Sequence, residues 1–301
     1  MARIVLVGEG MVELSRADAA GWRLGHGGDT LNTAIHLARF GADVRFLTAL
    51  GDDPFSANLR AAWAGEGIDP ALILTAPAAN PGLYAISTDA VGERTFTYWR
   101  GESAARRVFA LPESADALAA AAGADLLGFS LISLAILPSE GREALIALAE
   151  RMKRAGQTVA FDGNFRARLW GDAAEARAWR DRAIACCTIG LPTREDEALL
   201  GNDERADAIA ARWRAGGAHE VVVKLGADGC LVPGDVRVPP PAPLAPLDTS
   251  GAGDAFNAGY LHARLAGHAP DEAAQCGHRI AGWVVMRPGA IPARDETAPY
   301  R

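Results

Sequence analysis

No apolar run in this sequence reaches the ~20 residues that a bilayer-spanning helix needs. The opening stretch, residues 1–14, has one arginine and a short apolar run without a charged leader or a cleavage site, so it reads as a first strand and not as a signal peptide. Cysteine is scarce: there are four, Cys186, Cys187, Cys230 and Cys276, with no CxxC spacing, which gives no support to a disulfide scaffold or a zinc site. Net charge is −7 and no long block of one sign occurs, which excludes the basic stripe of a nucleic-acid binder and a polybasic membrane anchor. The six histidines are scattered, with no HExxH. Gly128-Phe129-Ser130-Leu131-Ile132 lacks the second glycine of a nucleophile elbow. Gly8-Glu9-Gly10 lacks the third glycine of a dinucleotide fingerprint, and no Gly-Lys-Ser/Thr follows the later glycine turns, which excludes a Walker A loop. The composition is that of a globular protein, and a cytoplasmic location is expected.

What is present alternates. Residues 3–7, 44–50, 125–129, 158–162, 187–191, 221–224 and 229–232 carry the β-branched, apolar character of buried strands. Residues 56–65, 139–155, 173–185, 203–215, 255–265 and 271–286 carry helical patterning, as does the run through Leu31, Ala34, Ile35 and Ala38. This order predicts an α/β fold, a doubly wound and mainly parallel sheet flanked by helices. Residues 82–100 break the alternation: two β-rich runs flank a polar turn at Gly92-Glu93, a hairpin that must project from the main layer. Residues 10–25 are expected to add strands to it. The whole chain, 1–301, is thus expected to be one domain, with a small β lid from about 10–25 and 82–110 inserted in the core.

The most informative string is Asp248-Thr249-Ser250-Gly251-Ala252-Gly253-Asp254-Ala255-Phe256-Asn257. Three small residues precede a helix, bringing backbone N–H groups and a positive dipole end to one point, which makes an anion site. A carboxylate beside an anion site suggests proton handling. Transfer of a phosphoryl group to a hydroxyl needs both. A helix N-terminus is expected to lower the pKa of Asp254. The string resembles the second signature of the ribokinase-like (PfkB) carbohydrate kinases. The resemblance implies that Gly251, Ala252 and Gly253 form the anion hole and that Asp254 is the catalytic base.

Further segments extend the likeness over nearly the whole chain. Gly27-Gly28-Asp29-Thr30-Leu31-Asn32 resembles the first signature of that family and implies sugar contacts from Gly28, Asp29 and Asn32. The strand–glycine turn–strand run from Val222 to Cys230 resembles its nucleotide segment, placing Lys224, Gly226 and Gly229 near ATP. Thr193 and Asp196 stand where the family shows Asn-x-x-Glu, tied to the metal–phosphate network. Asp196 is thereby implied to reach Mg²⁺ through water. His278 stands where members often have an asparagine near adenine.

Within the family, three runs look like the 2-keto-3-deoxygluconate kinases: Gly8-Glu9-Gly10-Met11-Val12-Glu13-Leu14, Tyr98-Trp99-Arg100, and Asp162-Gly163-Asn164-Phe165-Arg166 with Leu169-Trp170. The match implies Glu13, Tyr84, Tyr98, Arg100 and Arg166 as contacts to a keto acid, with Asn164 and Arg166 also near the transferring phosphate. Trp99 and Phe165 replace tyrosines of those motifs. An acidic sugar suits arginine, whose fork binds carboxylates bidentately. The resemblance implies an ATP- and Mg²⁺-dependent sugar-acid kinase acting on a terminal hydroxyl. A fructokinase or other neutral-sugar kinase is the nearest alternative, and a catalytically silent sugar- or nucleotide-binding regulator the more distant one. A monovalent cation and a homo-oligomer formed through the lid stay open.

Overall fold

The computed structural model describes residues 2–16, 21–88, 94–201 and 205–300. The expected turn at Gly92 and Glu93 lies outside them. The core is a sheet in the order Glu220–Val221, Ile189–Leu191, Thr158–Asp162, Leu126–Ser130, Arg3–Val7, Asp43–Leu50 and Ile68–Asp69, with Ile73–Thr75 also on Asp43–Leu50. Every pairing in it is parallel. Its strands are mainly apolar because both faces are covered. Val5, Val7, Leu127, Phe129, Val159 and Phe161 pack into one hydrophobic layer. The alternate residues Ile4, Leu6, Leu126 and Ala160 pack into the other.

The chain winds outward from Arg3–Val7 to Ile68–Asp69, then returns to place Leu126–Ser130 on the other side of the first strand. That reversal is the point where open α/β sheets bind ligands, beyond the strands' carboxyl ends. Gly8 and Glu9, Ser130, and Asp162 with Asn164 all stand there.

A separate sheet runs Trp22–Gly27, Met11–Arg16, Gly82–Thr88, Arg94–Trp99. Its outer pairings are antiparallel and its central one is parallel. It ends at Trp99. Residues 104–110, grouped with the lid from the sequence, instead form a 3₁₀ helix whose Ala104, Ala105 and Val108 are buried in the core. Two short strands, Glu220–Val221 and Val223–Lys224, replace the single strand expected over 221–224, and the second leaves the main sheet for a small antiparallel one. No helix among the described residues is long and apolar enough to cross a membrane.

Candidate active site

The signature helix is Ala252–Leu265, so Asp254 lies within its first turn. Gly251 precedes it at φ 69°, a left-handed conformation that disfavours side chains, and a Cβ there would lie 2.5 Å from Ala290 Cβ. Asp248 fixes this corner by accepting from the Ser250 amide at 2.9 Å and the Gly289 amide at 2.6 Å. No side chain caps the helix. Its first-turn N–H groups and positive dipole end are therefore open to an anion.

Asp254 is buried. Its Oδ2 accepts from Asn32 Nδ2 at 2.8 Å, and its carbonyl accepts from Thr33 Oγ1 at 3.2 Å. These bonds dock the signature helix on Asp29–Arg39, the helix of the first signature. Burial, then the Asp29 carboxylate, push the Asp254 pKa up to about 8, against the donated bond from Asn32. This reverses the lowering expected from the helix end. A helix dipole contributes about 0.3–1 kcal/mol at an exposed terminus, whereas desolvation and a neighbouring like charge move a buried carboxyl by several units.

Asp29 is raised too, chiefly by burial, and accepts from Asn164 Nδ2 at 3.2 Å and from the Ser130 hydroxyl. Asp162 accepts from Lys224 Nζ at 2.9 Å and from Asn257 Nδ2 at 2.7 Å. Lys224 also donates to Asn257 Oδ1 at 3.3 Å and reaches within 3.7 Å of where a Cβ on Gly253 would stand. The ammonium thus sits beside the open helix end. Ser130, Asp162 and Asn257 were not singled out from the sequence as site residues. Asn257 was within reach, since it follows Asp254 by three residues and shares its helix face.

On the far side of Lys224 lies a crevice of about 690 Å³, lined by Gly226, Gly229, Thr249, Gly253, Phe256 and His278. Gly226 and Gly229 have φ of 60° and 89°, and a Cβ on Gly229 would meet the Val238 carbonyl at 2.2 Å. His278 lies 3.0 Å from that carbonyl through Nε2. Burial lowers its pKa, so the neutral ring donates Nε2–H there. Thr193 precedes helix Arg194–Leu199 without capping it, and its backbone bridges to Lys224. Asp196 pairs with Arg166 at 3.2 Å, while burial raises its pKa to about 6. Among the described residues, no group of three or more acids, histidines or cysteines could cage a metal ion. The single Asp196 carboxylate suits Mg²⁺, which keeps waters and phosphate oxygens as ligands and takes one or two carboxylates.

The opposite wall is the small sheet. Glu13, Tyr84 and Tyr98 occupy one register row across three strands, so their side chains share a face. The Tyr84 hydroxyl donates to Glu13 Oε2 at 2.5 Å, and the Tyr84 and Tyr98 rings stack at 5.7 Å. Gly27 and Gly28 let the backbone pass closely: a Cβ would lie 2.4 Å from the Tyr84 hydroxyl at the first and 2.1 Å from the Glu9 carbonyl at the second. Arg100 forms an ion pair with Glu9, whose side chain is 1% exposed. Glu9 belongs to one of the sequence motifs, but no role was expected of it. Buried polar atoms here lack partners, among them Glu9 Oε1, Asn32 Oδ1 and Arg100 Nε. Each such atom costs about 1–3 kcal/mol, so a hydroxylated ligand would satisfy what the protein does not. Arg166 is not on this wall. It pairs with Asp196 and donates to the carbonyl of the preceding Phe165 at 2.7 Å.

The model of the pfkB family carbohydrate kinases matches residues 1–297. A 2-dehydro-3-deoxygluconokinase of Escherichia coli is 41% identical over 303 aligned residues, covering 97% of this chain and 98% of the relative. A fructokinase of Klebsiella pneumoniae is 35% identical over 82% of this chain and 80% of its own length. Among solved structures, a PfkB protein from Polaromonas superposes with a TM-score of 0.85 at 27% identity, covering 95% of this chain and 96% of that one. With the family model matched over residues 1–297, the chain belongs to the pfkB family of carbohydrate kinases.

Proposed function

We infer that this protein transfers the γ-phosphoryl group of ATP to the terminal hydroxyl of 2-dehydro-3-deoxy-D-gluconate, giving the 6-phosphate and ADP. The observation that carries the chemistry is the buried Asp254 carboxylate in the first turn of an uncapped helix, held by Asn32 from the sugar-side helix. The relatives that carry this activity by name, aligned end to end, supply the substrate.

The sugar's terminal end lies against Gly28, Asp29 and Asn32, with its hydroxyl facing Asp254. As the new O–P bond forms and the bond to the β-phosphate oxygen breaks, Asp254 takes the hydroxyl proton. Its raised pKa makes it a stronger base than an exposed aspartate once it is ionised. The N–H groups of the Gly251-Ala252-Gly253 turn and the Lys224 ammonium meet the charge on the transferred group. Asn164, Thr193, Gly226, Gly229 and His278 hold the nucleotide. Asp196 would hold Mg²⁺ through water, and the ion would supply neutralisation of the phosphate charge. Glu13, Tyr84, Tyr98 and Arg100 line the acid end, with Arg166 between it and the phosphates. The small sheet acts as a lid that excludes water.

Leu24 and Trp99 expose 58% each on that sheet. Their register places both on the face opposite Tyr84. A second copy of the chain meeting this face would form the homo-oligomer. A monovalent cation near the phosphate corner would raise turnover when K⁺ replaces Na⁺. The reaction is expected to run in the cytoplasm. ADP release with 2-keto-3-deoxygluconate against fructose and ribose tests the reading. The keto acid should give the highest kcat/KM, and a preference for fructose would replace the sugar acid with a neutral sugar.

A further inference from the structure

The run Pro239-Pro240-Pro241-Ala242-Pro243-Leu244-Ala245-Pro246 joins the strand Val236–Val238 to the signature string and has no part in the chemistry above. It forms one wall of the crevice of about 690 Å³ beside Lys224. The helix Pro270–Val285 meets this run with Ala281 and Gly282, and a Cβ on Gly282 would lie 3.2 Å from Leu244 Cδ1. Polar side chains around the crevice are few, and most are engaged elsewhere. Lys224 is held by Asp162 and Asn257 at the phosphate end. Asp228 is exposed and pairs with Arg194 at 3.5 Å. Thr249 belongs to the signature string, next to the anion turn. His278 remains, and its Nε2–H is committed to the Val238 carbonyl, 3.0 Å away at the root of the proline run.

Adenine and guanine differ in what their edges offer. At position 6 adenine donates and guanine accepts, and at N1 the roles are reversed. A pocket tells the two apart with a donor aimed at adenine N1, because guanine presents an N–H there and leaves that donor unpaired. Proline has no backbone N–H, and five of the eight residues 239–246 are proline. This wall is therefore rich in carbonyl oxygens and poor in donors. The other nitrogen of the neutral His278 ring, Nδ1, likewise can only accept. An acceptor suits either base, since adenine gives its 6-amino group and guanine its N1–H and 2-amino group. The rest of the wall is apolar, so it gains from the area of a purine and not from its substituents.

We propose that the crevice is a purine slot without a base-specific reader, so that GTP and ITP serve as phosphoryl donors alongside ATP. This rests on the reading of the crevice beside Lys224 as the nucleotide site. The γ-phosphoryl group moves from GTP or ITP to the same sugar hydroxyl, GDP or IDP leaves, and Asp254 takes the proton as it does with ATP. His278 supports the wall, because its bond to Val238 fixes the start of the proline run. An asparagine at this position would bring a donor and an acceptor together, the pair that fits adenine bidentately.

The test measures kcat/KM of wild type for ATP, GTP, ITP and CTP, with Mg²⁺ and a saturating amount of the sugar it turns over best. GTP and ITP are expected within about thirtyfold of ATP, the discrimination left to a pocket that does not hydrogen-bond the difference. CTP should fall below the purines, because its smaller base covers less apolar surface. A larger preference for ATP over either purine overturns the proposal, and so does CTP used as well as the purines. Two variants, each shown to be folded by thermal unfolding, keep this apart from the assignment of the crevice. Gly282→Leu fills the slot, so KM for every nucleotide should rise together by about tenfold, with KM for the sugar within about twofold. Nucleotide KM values that hold in this variant mean that the base lies elsewhere, and the reading of the crevice fails whatever wild type accepts. His278→Asn should raise the preference for ATP over GTP by about tenfold. An unchanged preference in that variant overturns the part given to His278.

Discussion

The two ends of the site are built in opposite ways. At the phosphate end, one continuous run from Asp248 to Asn257 supplies the turn, the open N–H groups, the base and the amide that orders Lys224 and Asp162. At the proposed acid end, Glu9, Glu13, Tyr84, Tyr98 and Arg100 come from separate segments and meet only through tertiary pairing. On the proposed reading, phosphoryl charge is met largely by backbone, which cannot be mutated away but must be placed. On the same reading the sugar acid is met by side chains, which can be exchanged one at a time. Changes at the first end should therefore act on kcat, and changes at the second on KM or on stability.

The largest expected effect breaks the first half of that contrast. Asp254→Asn should lower kcat by about 10³-fold or more, the scale of removing a base at a preorganised centre, with KM for ATP little changed. The same variant should be more stable at alkaline pH. The folded pKa of Asp254, about 8, is raised above its unfolded value near 4. The stability it contributes is thus complete below about pH 4 and is lost as pH rises through about 8. Asparagine removes that loss, on the order of a few kcal/mol at pH 8 or above. Thermal unfolding of both proteins at pH 6 and pH 9 checks the sign: the gap should open in favour of the variant at the higher pH. In wild type, kcat/KM for the sugar should climb about tenfold per pH unit below 8 and level above it. A profile already flat between pH 6 and 8 would contradict a raised base.

Glu9→Gln tests the second half. It leaves the Arg100 charge without its buried partner, and breaking such a pair typically costs about 3–5 kcal/mol. Unfolding temperature should drop by several degrees, and KM for the keto acid should rise as Arg100 loses its anchor. The kcat of the folded fraction at saturating substrate should fall less than in Asp254→Asn.

What could be read from the sequence follows the same division. The sheet was legible because its strands are buried on both faces and therefore carry unbroken apolar stretches, as Ile4 to Val7 do. The anion hole was legible because a turn that brings N–H groups to a point must be made of small residues in a row. Glu9 was not, because nothing local requires its charge: its partner Arg100 follows only after the small sheet. The stacking of Arg168 on Tyr98 was not legible for a related reason, since it joins two segments with no shared periodicity. The pKa of Asp254 was misjudged because the helix end is visible in sequence, whereas the burial of its carboxyl, and then Asp29 beside it, are not.

Gly251→Ala sharpens the contrast by moving only backbone. The left-handed conformation costs an alanine about 1–2 kcal/mol, and its Cβ would come within 2.5 Å of Ala290 Cβ. The turn must shift, and the N–H groups shift with it. The expected result is a loss in kcat of about 10–100-fold, smaller than removing the base because one misplaced donor is involved. KM for the keto acid should hold. A variant that lost KM and kept kcat would erase the distinction between the ends.

The smallest expected effect reaches the phosphate end from behind. His36 is buried with a pKa lowered to about 4, so its ring is neutral. Its Nε2 faces the Ala290 carbonyl at 3.0 Å, which can only accept, so Nε2 carries the hydrogen. Nδ1 must then accept from the Tyr300 hydroxyl at 2.7 Å. Ala290 is the residue that backs Gly251. Tyr300→Phe keeps the ring against Phe40 and Trp283 but removes the hydroxyl. It should cost about 0.5–1.5 kcal/mol and lower kcat a few-fold, with both KM values unchanged. His36→Ala, which frees the Ala290 carbonyl, should lower kcat further in the same pattern. If either variant moved KM for the keto acid and left kcat alone, this layer would belong to the acid end, and the separation of the two ends would not hold behind the first rank of residues.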